Sequence, residues 1–194
     1  MISDIMQLNT DTAGLLIETA VSAVRSHPDT FCEILDQLPA AVYVTDNDGV
    51  ITYFNQACVA LAGRTPVAGA DKWCVTWKLF TVDGDHLPHA DCPMATALRE
   101  NRAVRNVEAI AQRPDGSRFR FVPYPTPYFD DHGNIAGAVN LLLDITPRRG
   151  SPYLREQAEK CRQLAASITD QSAADSLNLM AAKYDEQALK ISRS

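Results

Sequence analysis

Glycine is scarce in this sequence, nine residues in 194, and none of the nine sits in a loop built to cradle phosphate. No Gly-x-x-x-x-Gly-Lys-Ser/Thr loop, no Gly-x-Ser-x-Gly elbow and no His-Glu-x-x-His helix is present, so the commonest nucleotide-binding, hydrolase and metalloprotease signatures are missing. Basic residues are also short: 18 Lys and Arg face 24 Asp and Glu, giving a net charge of −6 and a pI near 5.1. Phosphate neutralisation requires clustered Lys and Arg, so no nucleic-acid partner is expected. No apolar run reaches the ~18 residues of a membrane span, and the N-terminus lacks the cationic start and apolar core of a signal peptide. The chain is therefore expected to be cytoplasmic, with no membrane partner.

The five cysteines, Cys32, Cys58, Cys74, Cys92 and Cys161, are odd in number, scattered and without a Cys-x-x-Cys pair. That pattern fits a reducing compartment, with most of them acting as small buried hydrophobes. A nucleophilic pair such as Cys92 with His132 is open to the sequence, but scattered Cys and His in a domain of this size are ordinarily structural, and no enzyme is expected.

What the chain does have is apolar content, 46% hydrophobic, enough for one domain of ordinary size with appendages. The stretch Asp46 to Asn55 reads as half of a β-hairpin. An apolar strand, Ala41 to Thr45, meets a turn that needs Gly49 at positive φ; a β-branched and aromatic strand, Val50 to Phe54, comes next, and Asn55 caps a helix that stops at Gly63. Upstream, Leu15, Leu16, Thr19, Ala20, Ala23 and Val24 recur at helical spacing from a cap at Thr10 or Asp11 to a break at His27-Pro28. Asp29 or Thr30 caps a short second helix through Leu38.

Irregular sequence with Pro66, Gly69 and Gly84 leads to a helix over Pro93 to Glu100, with Asp91 as its cap. Three strands come after it: Arg105 to Arg113, Arg118 to Tyr124 and Ile135 to Ile145, with turns at Pro114–Ser117 and Asp130–Asn134. This order describes an α+β domain. From Ser151 a helical hairpin is expected, Leu154 to Ile168 and then a second helix restarting at Asp170 or Ser172. The organisation is thus an N-terminal amphipathic helix over residues 1–30, a domain over 31–146 and a C-terminal helical hairpin over 147–194.

The segments Asp-Asn-Asp-Gly-Val-Ile-Thr-Tyr-Phe-Asn (46–55), Arg-Pro-Asp-Gly-Ser-Arg-Phe (113–119) and Asp-Asp-His-Gly-Asn-Ile through Asp144-Ile145-Thr146 occur in an order that resembles the PAS domain family. The resemblance covers roughly Cys32 to Thr146. It implies a five-stranded antiparallel sheet in the order 2-1-5-4-3 with short helices on one face. It also implies sensing or partner binding, with a small-molecule cavity between sheet and helices and with Asp144 and Thr146 handing a change from the last strand to the helix after it. Nothing resembles the Asn-Cys-Arg-Phe-Leu-Gln motif of the flavin photosensors; Cys74 sits in Lys-Trp-Cys-Val-Thr-Trp. Haem-binding members take an axial histidine from the helix before the third strand, and Pro93 to Arg102 has none, although His86 and His89 lie just before it.

These readings converge on a stand-alone sensory or interaction module, a homodimer through its flanking helices, that binds a small ligand or a protein partner and has no output enzyme, since no histidine follows His132 to accept phosphate. The alternatives are a purely structural partner-binding module packed solid inside, and a haem- or metal-dependent sensor using His86, His89, Cys92 and Cys74, whose spacing matches no common closed zinc pattern. Cofactor identity stays open. The pocket is expected behind the hairpin, among Tyr43, Phe54, Trp77, His86 and His89.

Overall fold

The computed structural model describes residues 2–26, 29–146, 151–167 and 171–192. It divides into two compact units, Leu16–Thr146, and Met1–Leu15 with Pro147–Ser194. The expected break at His27-Pro28, the joint over 147–150, and Ile168 and Asp170 lie outside the described residues.

The larger unit is an antiparallel sheet with short helices. Its elements after the helix α1 (Ile2–Ser26) are α2 (Phe31–Asp36), β1 (Ala41–Asp46), β2 (Ile51–Phe54), α3 (Gln56–Ala62), β3 (Lys78–Phe80), β4 (His86–Leu87), a 3-10 turn at His89–Asp91, α4 (Pro93–Glu100), β5 (Ala109–Gln112), β6 (Arg118–Pro123), β7 (Thr126–Phe129) and β8 (Ile135–Asp144). The strands run β2-β1-β8-β6-β5-β3-β4, with β7 also on β8. The expected 2-1-5-4-3 order is present in β2, β1, β8, the β6–β7 pair and β5. Eight strands replace the expected five for two reasons.

The first is proline. β6 and β7 pair with β8 in one continuous register, Pro123↔Leu142 and Thr126↔Val139, so they are a single interrupted strand. Tyr124 donates its N–H to the Leu141 carbonyl, on the β8 side. Successive N–H groups alternate sides, so Pro123, Pro125 and Pro127 all lack the donor that would face β5. β5 accordingly pairs with β6 from Ala109↔Phe121 to Gln112↔Arg118 and does not begin at Arg105. The second is a hairpin in the stretch read as irregular. Thr81 N–H binds Asp85 O at 2.8 Å around Gly84, and β3 and β4 extend the sheet past β5.

Other boundaries shift for local reasons. α1 begins at Ile2, because residues 2–9 hold neither Gly nor Pro to stop a helix, so Thr10 and Asp11 lie inside it. Cys92, not Asp91, is the N-cap of α4, since Asp91 is taken up in the preceding 3-10 turn.

The joint between α2, β1 and α3 is made by Asn55, only 1% exposed. Its Oδ1 accepts from Val42 N (3.1 Å) and Cys58 N (3.2 Å), and its Nδ2 donates to Leu35 O (3.0 Å) and Ala40 O (2.8 Å). One amide therefore satisfies four backbone groups, and Gly63, at φ +65°, closes the other end of α3. The helix-side core gathers Tyr43, Ile51, Cys58, Met94, Leu98, Phe119 and Phe121. Val42, Val44, Val139 and Leu141, alternate residues of the same strands, are buried as well, so both faces of β1 and β8 are covered.

In the smaller unit α5 (Ser151–Ser167) and α6 (Gln171–Ser192) pack as the expected hairpin, with Ser172 inside α6. Small residues let them approach: Ala158, Cys161 and Ala181 form one cluster with Met180 and Tyr184, and Ala165, Ala174 and Leu177 another. Arg162 pairs with Asp185 across the helices. No helix among the described residues is long and apolar enough to cross a membrane.

Candidate functional site

The site is built on a tight turn opposite the hairpin. Trp73 holds a left-handed backbone, φ +69°, a strained geometry for a large side chain. Two contacts hold it there. Its N–H donates to Gly49 O at 2.8 Å, and its ring lies where a Cβ on Gly49 would stand 2.2 Å from ring carbons. The twist brings the Trp73 carbonyl to the core, where the Tyr43 hydroxyl donates to it at 2.8 Å. That hydroxyl accepts from Asn140 Nδ2 (2.9 Å), and Asn140 Oδ1 accepts from Tyr124 N (2.9 Å). A closed polar chain thus crosses the apolar core from the turn to β8, every member partnered.

Beside the turn opens a cavity of about 240 Å³. Arg64, Asp71 and Lys72 line it from the segment after α3; Cys74, Thr76 and Trp77 line it on the approach to β3, and His89 from the 3-10 turn. Arg64 pairs with Asp71 and donates to Val75 O at 3.0 Å, while Asp71 also accepts from Val67 N. Cys74 Sγ and Thr76 Oγ1, both buried, share a hydrogen bond of 3.2 Å. Among the described residues only two buried side-chain polar atoms lack a partner, Thr45 Oγ1 and His89 Nε2. The second belongs to a residue that lines this cavity.

The electrostatics follow from burial. Desolvation, then the nearby Arg64 and His86 charges, lowers the His89 pKa below its usual 6.5, so the ring is neutral at pH 7. Burial raises Cys74, against the opposing hydrogen bond from Thr76, and pushes Cys92 up to about 12. It raises Tyr43 and Cys58 too. These thiols are protonated at neutral pH and are poor nucleophiles.

Of the residues expected to line a pocket, the fold brings Trp77 and His89 together there. Tyr43 touches the same turn from below, fully buried. Phe54, opposite Tyr43 in the β1–β2 pair, packs against the core, and His86 stands exposed with its ring edge-on to Phe80; neither lines the cavity. Cys92 points at Trp73 O. Among the described residues no three His, Cys, Asp or Glu side chains gather as a metal group. Asp144 and Thr146 close the end of β8: Thr146 N binds Asp144 Oδ1 (2.9 Å), and the Thr146 hydroxyl meets both backbone groups of Arg120. The residues that sequence reasoning passed over are Arg64, Asp71, Lys72 and Thr76 on the cavity wall, with Asn140 beneath it.

A haem or a flavin does not fit this site. Pockets that take drug-sized ligands run to about 300–1,000 Å³. The space beside His89, about 240 Å³, is smaller. A second groove, about 360 Å³ between α1 and β7, carries Arg105, which already donates to Val104 O, Pro125 O and Thr126 Oγ1 and stacks on Tyr124.

No curated protein matches the chain. Among solved structures it is similar to the PAS domain of the fruit-fly ELK potassium channel, 17% identical, with 63% of this chain and 99% of that one aligned and a TM-score of 0.50. It is similar also to a PAS domain from Colwellia psychrerythraea (23% identity, 60% and 94%, TM-score 0.46) and to the Rhodobacter sphaeroides LOV protein (15%, 84% and 94%, TM-score 0.48). The model of the PAS-fold family matches residues 35–150, more than half of the chain. The chain belongs to the PAS-fold family, whose members act as sensory and interaction modules.

Proposed function

We propose that this protein is a cytoplasmic sensory module in which a small molecule, held in the cavity beside Trp77 and His89, biases the packing of the Trp73 turn and so of β8. The observation that supports this reading is the buried polar chain. Trp73, next in sequence to the cavity residue Cys74, is tied through Tyr43 to Asn140, in the middle of the strand that ends at Asp144 and Thr146. A ligand that binds one arrangement of the turn better than another shifts the population between them by its difference in affinity, and the strand end carries the difference outward. The module has no reaction of its own. It passes its signal by association, as a homodimer through its flanking helices and to a separate protein partner.

The test is direct. Protein from its native host is denatured, its extract examined by mass spectrometry, and the native protein melted against a metabolite library. A compound that raises Tm must bind the native state preferentially. Its effect on amide exchange over residues 141–146 should vanish in Asn140→Leu while binding persists. A sample that releases nothing and whose Tm no metabolite moves refutes the ligand reading. For the dimer, sedimentation should give twice the chain mass, and removal of residues 1–29, with fold checked by circular dichroism, should give a monomer; an unchanged dimer refutes it.

One observation favours a second reading. The helix-side core is packed with aromatic and aliphatic side chains, as in a structural module that binds partners without a ligand. A ligand found in the first experiment excludes it.

A further inference from the structure

Resting on the ligand reading above, we infer that the cavity takes a small monoanionic carboxylic acid, one that also carries a hydroxyl or oxo group. Size comes first. A cavity of about 240 Å³ holds roughly eight waters at about 30 Å³ each, which suits a small metabolite.

Charge comes second. Arg64 and Lys72 supply two cations and Asp71 one anion, an excess of one positive charge. Asp71 is committed to Arg64 and to Val67 N–H, so it offers little to a ligand cation. Arg64 spends only two of its five N–H groups, on Val75 O and Asp71, and a guanidinium fork suits a carboxylate. The charges that face His89 from the packed elements are Arg64, His86 and Asp71, and of these Arg64 weighs most. The site therefore presents a positive potential. A dianion would exceed the single excess charge and meet the Asp71 carboxylate, whereas a monoanion matches it.

Polar complement comes third. His89 lines the cavity and its Nε2 is buried with no partner, whereas a buried polar atom of this kind is ordinarily satisfied. As a neutral imidazole it can donate one hydrogen bond to a carboxylate oxygen. Thr76 and Cys74 present a hydroxyl and a thiol at the buried wall, the right partners for an α- or β-oxygen. The half-exposed Trp77 ring, 44% exposed, supplies the apolar edge.

The test melts the intact protein at fixed ionic strength and pH 7 with lactate, pyruvate, glycerate and 3-hydroxybutyrate. Each is set against its neutral counterpart, lactamide or glycerol, with succinate and malonate as dianions. At least one monocarboxylate should raise Tm in proportion to the logarithm of its concentration, with neutral counterparts and dianions at least tenfold weaker. His89→Leu should weaken that binding at least tenfold while His89→Gln, whose amide can still donate, restores most of it. Equal binding of the neutral counterparts, or full binding by His89→Leu, overturns the inference. If the metabolite library yields a neutral or cationic ligand and no carboxylate binds, the inference fails and the sensory reading stands. If nothing binds at all, both fall.

Discussion

Asn140 and Tyr43 stand directly opposite each other on the paired strands β8 and β1, and the amide of one donates to the hydroxyl of the other at 2.9 Å. Both lie on the face that meets the helices. A tyrosine hydroxyl placed there costs stability unless partnered, and Asn140 donates to it while Trp73 O accepts its hydrogen bond.

The first prediction concerns that pair. Tyr43→Phe leaves Trp73 O and Asn140 Nδ2 buried without their partner and should lower unfolding free energy by about 1–3 kcal/mol in urea titration. Asn140→Leu removes the amide from the middle and should cost about the same. Because the two changes break one network, the double variant should be more stable than the sum predicts by roughly 0.5–3 kcal/mol. Strict additivity would show that the contact between the two side chains carries no coupling.

A second prediction separates backbone strain from packing at glycine. Gly49 and Gly133 both hold positive φ, +77° and +81°, but a Cβ at Gly133 meets open space while one at Gly49 meets the Trp73 ring. Gly133→Ala should therefore cost about 1–2 kcal/mol, the left-handed penalty alone. Gly49→Ala should cost about 1–3 kcal/mol more, from overpacking. In a Trp77→Phe background, which leaves Trp73 as the one fluorophore of its kind, only Gly49→Ala should shift tryptophan emission. Equal costs and unchanged emission would mean that the Trp73 ring does not pack on Gly49.

Much of this fold was legible because its signals are local. Gly49, Asn55 and Gly63 each do what turn and cap chemistry requires, and the terminal strand to Asp144 was plain from its apolar run. The prolines at 123, 125 and 127 were also visible, but their consequence was not. It depends on which side of the strand each N–H faces, and that is fixed by the register with β8. The short β3–β4 hairpin escaped because strands of three and two residues have no periodicity to read. At the site, Asn140 left a signal, one polar residue inside Ala138-Val-Asn-Leu-Leu. Arg64, Asp71 and Thr76 left none, since a cavity wall assembled from three loop segments has no sequence spacing.

A third prediction uses Asn55, whose Nδ2 gives hydrogens to Leu35 O and Ala40 O. Asn55→Asp keeps the acceptor for Val42 and Cys58 but turns an oxygen toward those two carbonyls. The introduced carboxyl should be held protonated in the fold, with its pKa raised above the unfolded value of about 3.9. A raised folded pKa gives stability that is present below the unfolded value and lost as pH rises through the folded one. Asn55→Asp should thus cost about 1–3 kcal/mol at about pH 3.5, where the protonated carboxyl has one O–H for two carbonyls, and progressively more toward pH 7. Asn55→Ala, uncharged, should cost about 2–4 kcal/mol at both, from the lost cap and the stranded carbonyls. A pH-independent deficit in Asn55→Asp would contradict the assigned amide orientation.

The last prediction concerns His89. Burial first, then Arg64 and His86, depresses its pKa below the usual 6.5. The unfolded chain therefore takes up this proton before the folded one does. Above about pH 7.5 the group is neutral in both states, and stability is indifferent to it. As pH falls below 6.5, stability is lost, by at most about 1.4 kcal/mol per pH unit, until the folded ring protonates as well. His89→Gln has nothing to titrate, so the stability difference between it and the native protein should be constant above pH 7.5 and move in favour of the variant from pH 6.5 downward. Urea titrations at half-unit intervals from pH 8 to 5 measure this. A difference that stays flat across the whole range would mean that His89 is solvated in the free protein and its Nε2 is not held away from partners.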